Sequence, residues 1–256
     1  MTEHPTETLG SGPARVAVLS DVHGNLPAFE AVIEDIRKMG VDAIWNLGDL
    51  VGYGAQPDEC VDLARQTCDL CLIGNHDLVV IDRLSVDDFS QNAATAALWT
   101  RDHIKPESRD FLKDLSPKDE SGEMKLYHAS PRDPIWEYVL SVGLADACLD
   151  AMPGRLGAVG HSHVALWFWR NEGGRTVGEQ AGAGMEIDLS KGEWLMNPGG
   201  VGQPRDGDPR AAWLLLDFEH SSAKWQRVEY PIDQAAKAIE DAGLPRSLAD
   251  RLYFGQ

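Results

Sequence analysis

The stretch Val16-Ala17-Val18-Leu19-Ser20-Asp21-Val22-His23-Gly24-Asn25 decides how the rest of the chain is read. Its first four residues are apolar on both faces and rich in valine, the pattern of a strand buried in a layered α/β core. A carboxylate and an imidazole, Asp21 and His23, follow two residues apart, and on extended backbone they point the same way. Together they suit a divalent metal, and Gly24 allows a tight turn beside whatever sits there. Leu26 to Met39 then carries Phe29, Val32, Ile33 and Ile36 at helical spacing. The spacing predicts a buried strand that delivers two ligands at its C-terminal end, where open α/β sheets carry their sites. The plainer alternative is a strand-to-helix loop with Asn25 as the helix cap.

The same grammar recurs outward from this stretch. Val41 to Leu47 is predicted as a strand ending in Gly48-Asp49, and Pro57 opens a helix over Asp58 to Gln66. Leu70 to Ile73 makes a third strand before Gly74-Asn75-His76-Asp77. Met124 to Tyr127 leads into His128-Ala129-Ser130-Pro131-Arg132. After a helix around Leu144 to Ala151, the strand Leu156 to Val159 runs into Gly160-His161-Ser162-His163. Asp21, His23, Asp49, Asn75, His128, His161 and His163 thus each follow a strand candidate beside a glycine turn.

Other segments carry less chemistry. Residues 84–117 suggest two or three helices broken at Pro106 and Pro117, read as a helical cap or insertion beside the site. Beyond His163 the chain is β-rich, and Val164 to Trp169, Arg175 to Glu179, Met185 to Leu189 and Ala212 to Phe218 are expected to form a second sheet packed on the first. Asn197 to Arg205 reads as a rigid glycine/proline loop, and Pro231 to Gly243 as a final amphipathic helix.

The 23 basic and 41 acidic residues give a formal charge of −18. That argues against non-specific binding to nucleic acid or to an anionic membrane. A small anionic substrate stays open, because cations inside a cleft reverse the field locally. No apolar run approaches the length of a membrane span. The polar residues 1–13 are expected to be a disordered tail and residues 14–256 a single domain. Cys68 and Cys71 form a C-x-x-C with no second pair to complete a zinc site, so the thiols read as buried and the compartment as a reducing cytoplasm. His4, His103 and His220 lie outside the motifs.

In this order the motifs D-x-H, G-D, G-N-H-D, H and G-H-x-H resemble the calcineurin-like metallophosphoesterase superfamily. The resemblance runs from Val16 to about Phe218. The strings Gly-Asp-Leu-Val-Gly-Tyr-Gly, His-Ala-Ser-Pro-Arg and Asn-Pro-Gly-Gly-Val-Gly-Gln-Pro-Arg are most similar to its small bacterial and archaeal phosphodiesterase branch. It implies an α/β fold, a four-layer α-β-β-α sandwich of two mixed sheets flanked by helices. It also implies one metal held by Asp21, His23, Asp49 and His163, and a second held by Asp49, Asn75, His128 and His161, with Asp49 bridging. The mixed nitrogen and oxygen ligands suit Mn²⁺ first, with Fe, Zn²⁺ or Ni²⁺ as alternatives.

The implied activity is hydrolysis of phosphate esters, foremost nucleotide-type phosphodiesters, by in-line attack of a metal-bridging hydroxide. His76 is the implied donor to the leaving oxygen, with Asp77 either orienting it or facing away. A phosphomonoesterase of small metabolites, a dinucleoside polyphosphate hydrolase and a metal-binding scaffold without turnover are the competing readings. The expected partner is a small anionic phosphate ester, with no stable nucleic-acid or membrane partner, and the oligomeric state is left open. One departure matters. The protein Ser/Thr phosphatases of this superfamily carry Asp-Arg-Gly where this chain has Gly52-Tyr53-Gly54, which leaves Arg132 or Arg205 to replace the missing guanidinium. Arg205 and Asn25 are the candidate substrate contacts, weighed against a surface salt bridge and a helix cap. Tyr53, Trp136 and Tyr138 are assigned to core packing ahead of base stacking.

Overall fold

Apolar residues on both faces leave β1 (Arg15–Leu19) no solvent side, and it lies near the middle of a sheet with a neighbour on each edge. The computed structural model describes residues 12–256. The expected disordered tail therefore falls almost wholly outside the described residues. After β1 come α1 (Leu26–Met39), β2 (Ala43–Asn46), α2 (Pro57–Thr67), β3 (Leu70–Cys71) and α3 (Asn75–Val80). Next are α4 (Gln91–His103), α5 (Pro106–Lys113), β4 (Lys118–Asp119), β5 (Met124–Tyr127), α6 (Val142–Ala151) and β6 (Leu156–Val159). The chain continues through β7 (Ala165–Arg170), β8 (Thr176–Gln180), β9 (Glu186–Asp188), β10 (Glu193–Pro198), β11 (Ala211–Asp217) and β12 (Ser222–Val228). It closes with α7 (Ile232–Asp241), α8 (Arg246–Asp250) and a short turn at Arg251–Tyr253. Among the described residues no helix is long and apolar enough to cross a membrane.

Two six-stranded mixed sheets result, ordered β3-β2-β1-β11-β12-β9 and β4-β5-β6-β10-β7-β8. Alternation along single strands sorts the core into three interlayer spaces. Ala17 and Leu19 of β1 face a helix layer with Phe29, Val32, Ile33 and Ile36 of α1. Val16 and Val18 face the other sheet, meeting a cluster that includes Leu126, Leu156, Met196 and Trp225. The far face of the second sheet packs Tyr127, Val159, Phe168 and Leu195 against Cys148 and Leu149 of α6. This is the four-layer sandwich.

The partition of strands corrects one expectation. Only β7 and β8 of the four late strands join the second sheet, whereas β9 and β11 belong to the first, with β11 antiparallel to β1. The second sheet is built instead on β5, β6 and β10. β10 starts before Asn197 and absorbs the first two residues of the expected loop, and β12 carries no prior expectation. Both are paired in register, by backbone bonds that side-chain pattern does not announce. The segment 84–117 is helical as expected, but α4 and α5 pack Ala93, Ala96 and Leu112 into the core beside the first sheet. Phe89, ahead of α4, packs its ring on that of His76, a candidate site residue. Cys68 and Cys71 are half-buried rather than buried.

Strands β1, β2 and β3 run parallel, as do β5, β6 and β10. The C-terminal ends of both sets deliver the polar loops, which converge between the two sheets.

Candidate metal centre

Backbone hydrogen bonds lace the loops together before any side chain is considered. Asp21 N–H donates to Gly48 O, His23 N–H to Asp49 O and Gly24 N–H to Leu50 O, each within 3.0 Å. This lacing overturns the expectation of extended backbone at Asp21 and His23. Both are left-handed, with φ of 59° and 51°, as are Asp49, Tyr53, His161 and His163. Such a conformation costs a non-glycine residue free energy and gathers at functional sites. It turns consecutive side chains inward from a tight loop. Gly74 shows how close the packing is: a Cβ there would lie 2.0 Å from Asp49 Oδ1.

Seven of the predicted residues meet in one buried cluster. Asp21, His23 and His163 form one group of mutually close ligand atoms, and Asp49, His128 and His161 form another. Asp49 lies between them, its Oδ2 3.6 Å from both His23 Nε2 and His128 Nε2. Asp21 Oδ1 lies 3.5 Å from His163 Nε2 and 3.8 Å from His23 Nε2. Asn75, the first residue of α3, points Oδ1 at His128 Nε2, 3.1 Å away.

The tautomers test whether a cation fits. Nδ1 of His23, His128 and His163 lies 3.1, 3.0 and 2.7 Å from the carbonyl oxygens of Val51, Leu47 and Gln203. A carbonyl only accepts, so each ring carries its proton on Nδ1 and presents a lone pair from Nε2. Yet His23 Nε2 and His163 Nε2 are 3.0 Å apart. A hydrogen bond between them would require an imidazolium, and burial holds both rings well below the usual histidine range. His128 Nε2 likewise faces an amide oxygen, its ring pushed down to about 4 by burial. Asp21 Oδ1 and His161 Nε2 are buried with no hydrogen-bond partner at all. Burial raises Asp21 to about 7, offset by Ser20 and Arg205, and lifts Asp49 well above its ordinary value, aided by Asp77 and Asp21. Converging lone pairs and uncompensated carboxylates are the surroundings of a divalent cation.

His76 is buried on α3 beside this cluster, close to His23 and Asp49. Its ring packs against Tyr53 at 4.4 Å and Phe89 at 4.8 Å between centroids, and its Nδ1 has no partner. Its backbone N–H donates to Asp49 Oδ1 at 2.9 Å. Asp77 does not reach the His76 ring. Its carboxylate accepts from the N–H groups of Gly74, Leu50 and Val51, tying α3 to the Asp49 loop. Asn25 accepts from Ala28 N–H as the cap of α1 and donates to Gly202 O at 2.8 Å, so its amide joins two loops. Arg205 makes no ion pair among the described residues: its guanidinium carbon lies 5.4 Å above the Tyr53 ring.

Several contributors carry no sequence signal. The carbonyls of Val51, Leu47 and Gln203 fix the tautomers, and any residue type would supply them. Asn197 braces the His161–His163 turn by donating to Gly160 O and Ser162 Oγ. Tyr138 lies face to face on His161, with centroids 4.1 Å apart, and Trp136 touches Phe89. These aromatics rim the site instead of filling the core; the loop preceding α6 brings them there.

A family model for the calcineurin-like phosphoesterase superfamily domain matches residues 15–221. An uncharacterized protein of Methanocaldococcus jannaschii is 39% identical over 246 residues, covering 94% of this chain and 98% of its own length. The crystal structure of a metallophosphoesterase from Sphaerobacter thermophilus is 40% identical, with a TM-score of 0.86 over 96% of this chain and 100% of that one. A hypothetical protein of Pyrococcus horikoshii, 21% identical, shares the fold with a TM-score of 0.75 over 94% of this chain and 98% of its own. The match over most of the chain agrees with a donor set that calls for cations, and the chain belongs to the calcineurin-like phosphoesterase superfamily as a metal-dependent phosphoesterase.

Proposed function

We propose that the chain is a two-metal phosphodiesterase. Asp21, His23, Asp49 and His163 would hold one ion, and Asp49, Asn75, His128 and His161 the other. The observation that carries this reading is the pair of lone pairs facing each other at 3.0 Å between His23 and His163, beside a carboxylate shared with the second group. Mn²⁺ suits these mixed nitrogen and oxygen donors. Divalent ions there supply Lewis acidity and a water-derived nucleophile near neutral pH.

The chain's own residues do the rest. Val51, Leu47 and Gln203 hold three imidazoles in the ligating tautomer, and Asp77 fixes the loop that aims Asp49. His76, kept neutral by burial, has one N–H to donate to the leaving oxygen, and Tyr53 with Phe89 hold its ring in place. Arg205 offers its guanidinium to a phosphate oxygen. Gly52-Tyr53-Gly54 supplies no arginine of its own, which favours a singly charged diester over a monoester dianion.

The test is an initial-rate comparison on metal-stripped protein reloaded with Mn²⁺. Bis-p-nitrophenyl phosphate is expected to be cleaved faster than p-nitrophenyl phosphate, with the rate lost on removing metal and in His76→Ala. Faster monoester cleavage would overturn the diester preference. Bound metal with neither ester cleaved would overturn the enzymatic reading.

A further inference from the structure

Four imidazoles converge on the centre, and three of them are anchored alike. His23, His128 and His163 each donate from Nδ1 to a backbone carbonyl within 3.1 Å. His161 has no anchor of that quality. Its Nε2 is buried without a hydrogen-bond partner. Burial dominates its pKa, followed by the charges of His128, His76 and Arg205, and the backbone of Trp136 exerts the smallest influence. The main chain beneath the ring is fixed, since His161 N–H donates to Asp21 Oδ2 at 3.1 Å and φ is held at 62°. A fixed main chain still leaves a side chain free to change rotamer. Something else must hold this ring.

Tyr138 is placed to do so. Its ring lies parallel to that of His161, with the planes 13° apart and the centroids separated by 4.1 Å. The His128 ring meets His161 edge-on at 5.0 Å. Tyr138 is 43% exposed, so burial in a core does not account for its position. The loop that carries it is tied down at every step. Ala129 N–H donates to Pro134 O and Ser130 N–H to Asp133 O, both at 3.1 Å. Asp133 Oδ1 accepts from the N–H groups of Ile135 and Trp136. Glu137, next to Tyr138, accepts from the buried Ser130 Oγ at 2.6 Å and pairs with Arg132 at 3.3 Å. The phenol face is therefore a fixed wall against His161.

We propose that Tyr138 is the positioning residue for His161, its ring face replacing the carbonyl anchor of the other three imidazoles and setting the affinity for the ion that His161 helps to hold. This rests on the two-metal reading above. An imidazole that lends its lone pair to a cation becomes electron-poor, and the face of a phenol is electron-rich. The stack thus favours the ligating state as well as the ligating direction. The ring is what matters, and the hydroxyl is dispensable.

The test is a Mn²⁺ titration of metal-stripped wild type, Tyr138→Phe and Tyr138→Leu, with the free ion followed by its EPR signal. Tyr138→Leu is expected to hold one ion about tenfold or more weakly and the other within about twofold of wild type, with Tyr138→Phe restoring both. The melting temperature of the metal-free protein should be the same in all three, because the loop is tied through Glu137 and not through the tyrosine. Unchanged affinities, or a Tyr138→Phe as weak as Tyr138→Leu, would overturn the role. So would equal weakening of both ions with a lowered melting temperature, which marks general loosening. A wild type that binds fewer than two ions sinks the two-metal reading instead, and nitrogen NMR of the metal-free His161 ring then decides the anchor. One sharp set of signals in wild type and Tyr138→Phe, broadened by exchange in Tyr138→Leu, is the expected result; a sharp set in all three overturns it.

Discussion

Both carboxylates of the centre follow strands of the first sheet, Asp21 after β1 and Asp49 after β2, whereas the second sheet contributes His128, His161 and His163. The first rim brings all the charge, with His23 and Asn75 beside it, and the second brings only neutral, directed donors. The carboxylates resist ionisation because they are buried together, and the imidazoles resist protonation for the same reason. A cation relieves the first rim and satisfies the lone pairs of the second. Capture should therefore depend on the first rim, and geometry on the second.

The sharpest way to break this division is Asp49→Asn, which removes the carboxylate shared by both groups. It should lose metal, read by elemental analysis, and lower kcat by about a thousandfold or more. His76→Ala stands on the first rim but bears no charge. It should keep its metal and lose about 10²–10⁴ in kcat, separating hydrogen-bond donation to the leaving oxygen from capture. Retained activity in Asp49→Asn would refute the shared role of that carboxylate.

On the second rim, Asn197→Ala removes the brace on the His161–His163 turn without touching a ligand. Metal affinity should fall about 10–100-fold, as for other partners that orient ligands, with kcat at saturating metal much less affected. The smallest effect is with pH. Asp21, raised to about 7 by burial in the metal-free protein, carries a proton below that pH that an incoming cation must displace. Asp49, lifted well above its ordinary value, holds a second such proton, so affinity should rise between about tenfold and about a hundredfold per unit from pH 5 to 7, read by metal titration across that range. His128, lowered to about 4, stays neutral throughout and adds no slope. An affinity that is flat from pH 5 to 7 would mean that both carboxylates are already ionised in the metal-free protein.

The candidate ligands were legible because each lies just after a short apolar strand, with Gly48, Gly74 and Gly160 directly before Asp49, Asn75 and His161, a local pattern that parallel strands buried on both faces impose. Helix α1 was legible for a similar reason, its Phe29, Val32, Ile33 and Ile36 forming one stripe. The assignment of β9 and β11 to the first sheet was not, since β11 pairs with the distant β1, as in Val18 with Leu214, and β9 joins the sheet only through β12. Nor were the carbonyl partners of the imidazoles, because every residue carries a carbonyl. Tyr138 and Trp136 looked like core residues by type, and only the path of the loop before α6 sets them at the rim. Arg205 looked like a surface ion pair; what distinguishes it is a missing acid, which no local pattern reveals.

Trp136 has a photophysical consequence. Its indole lies 6.5 Å from the His161 ring, centroid to centroid, whereas Trp213 and Trp225 are fully buried in the layers of the sandwich. A paramagnetic ion held by His161 would quench Trp136 emission at that range, while a closed-shell ion such as Zn²⁺ would not. The difference in emission between wild type and Trp136→Phe thereby becomes an optical gauge of which metal occupies the second sheet's rim, and the protein carries the fluorophore itself.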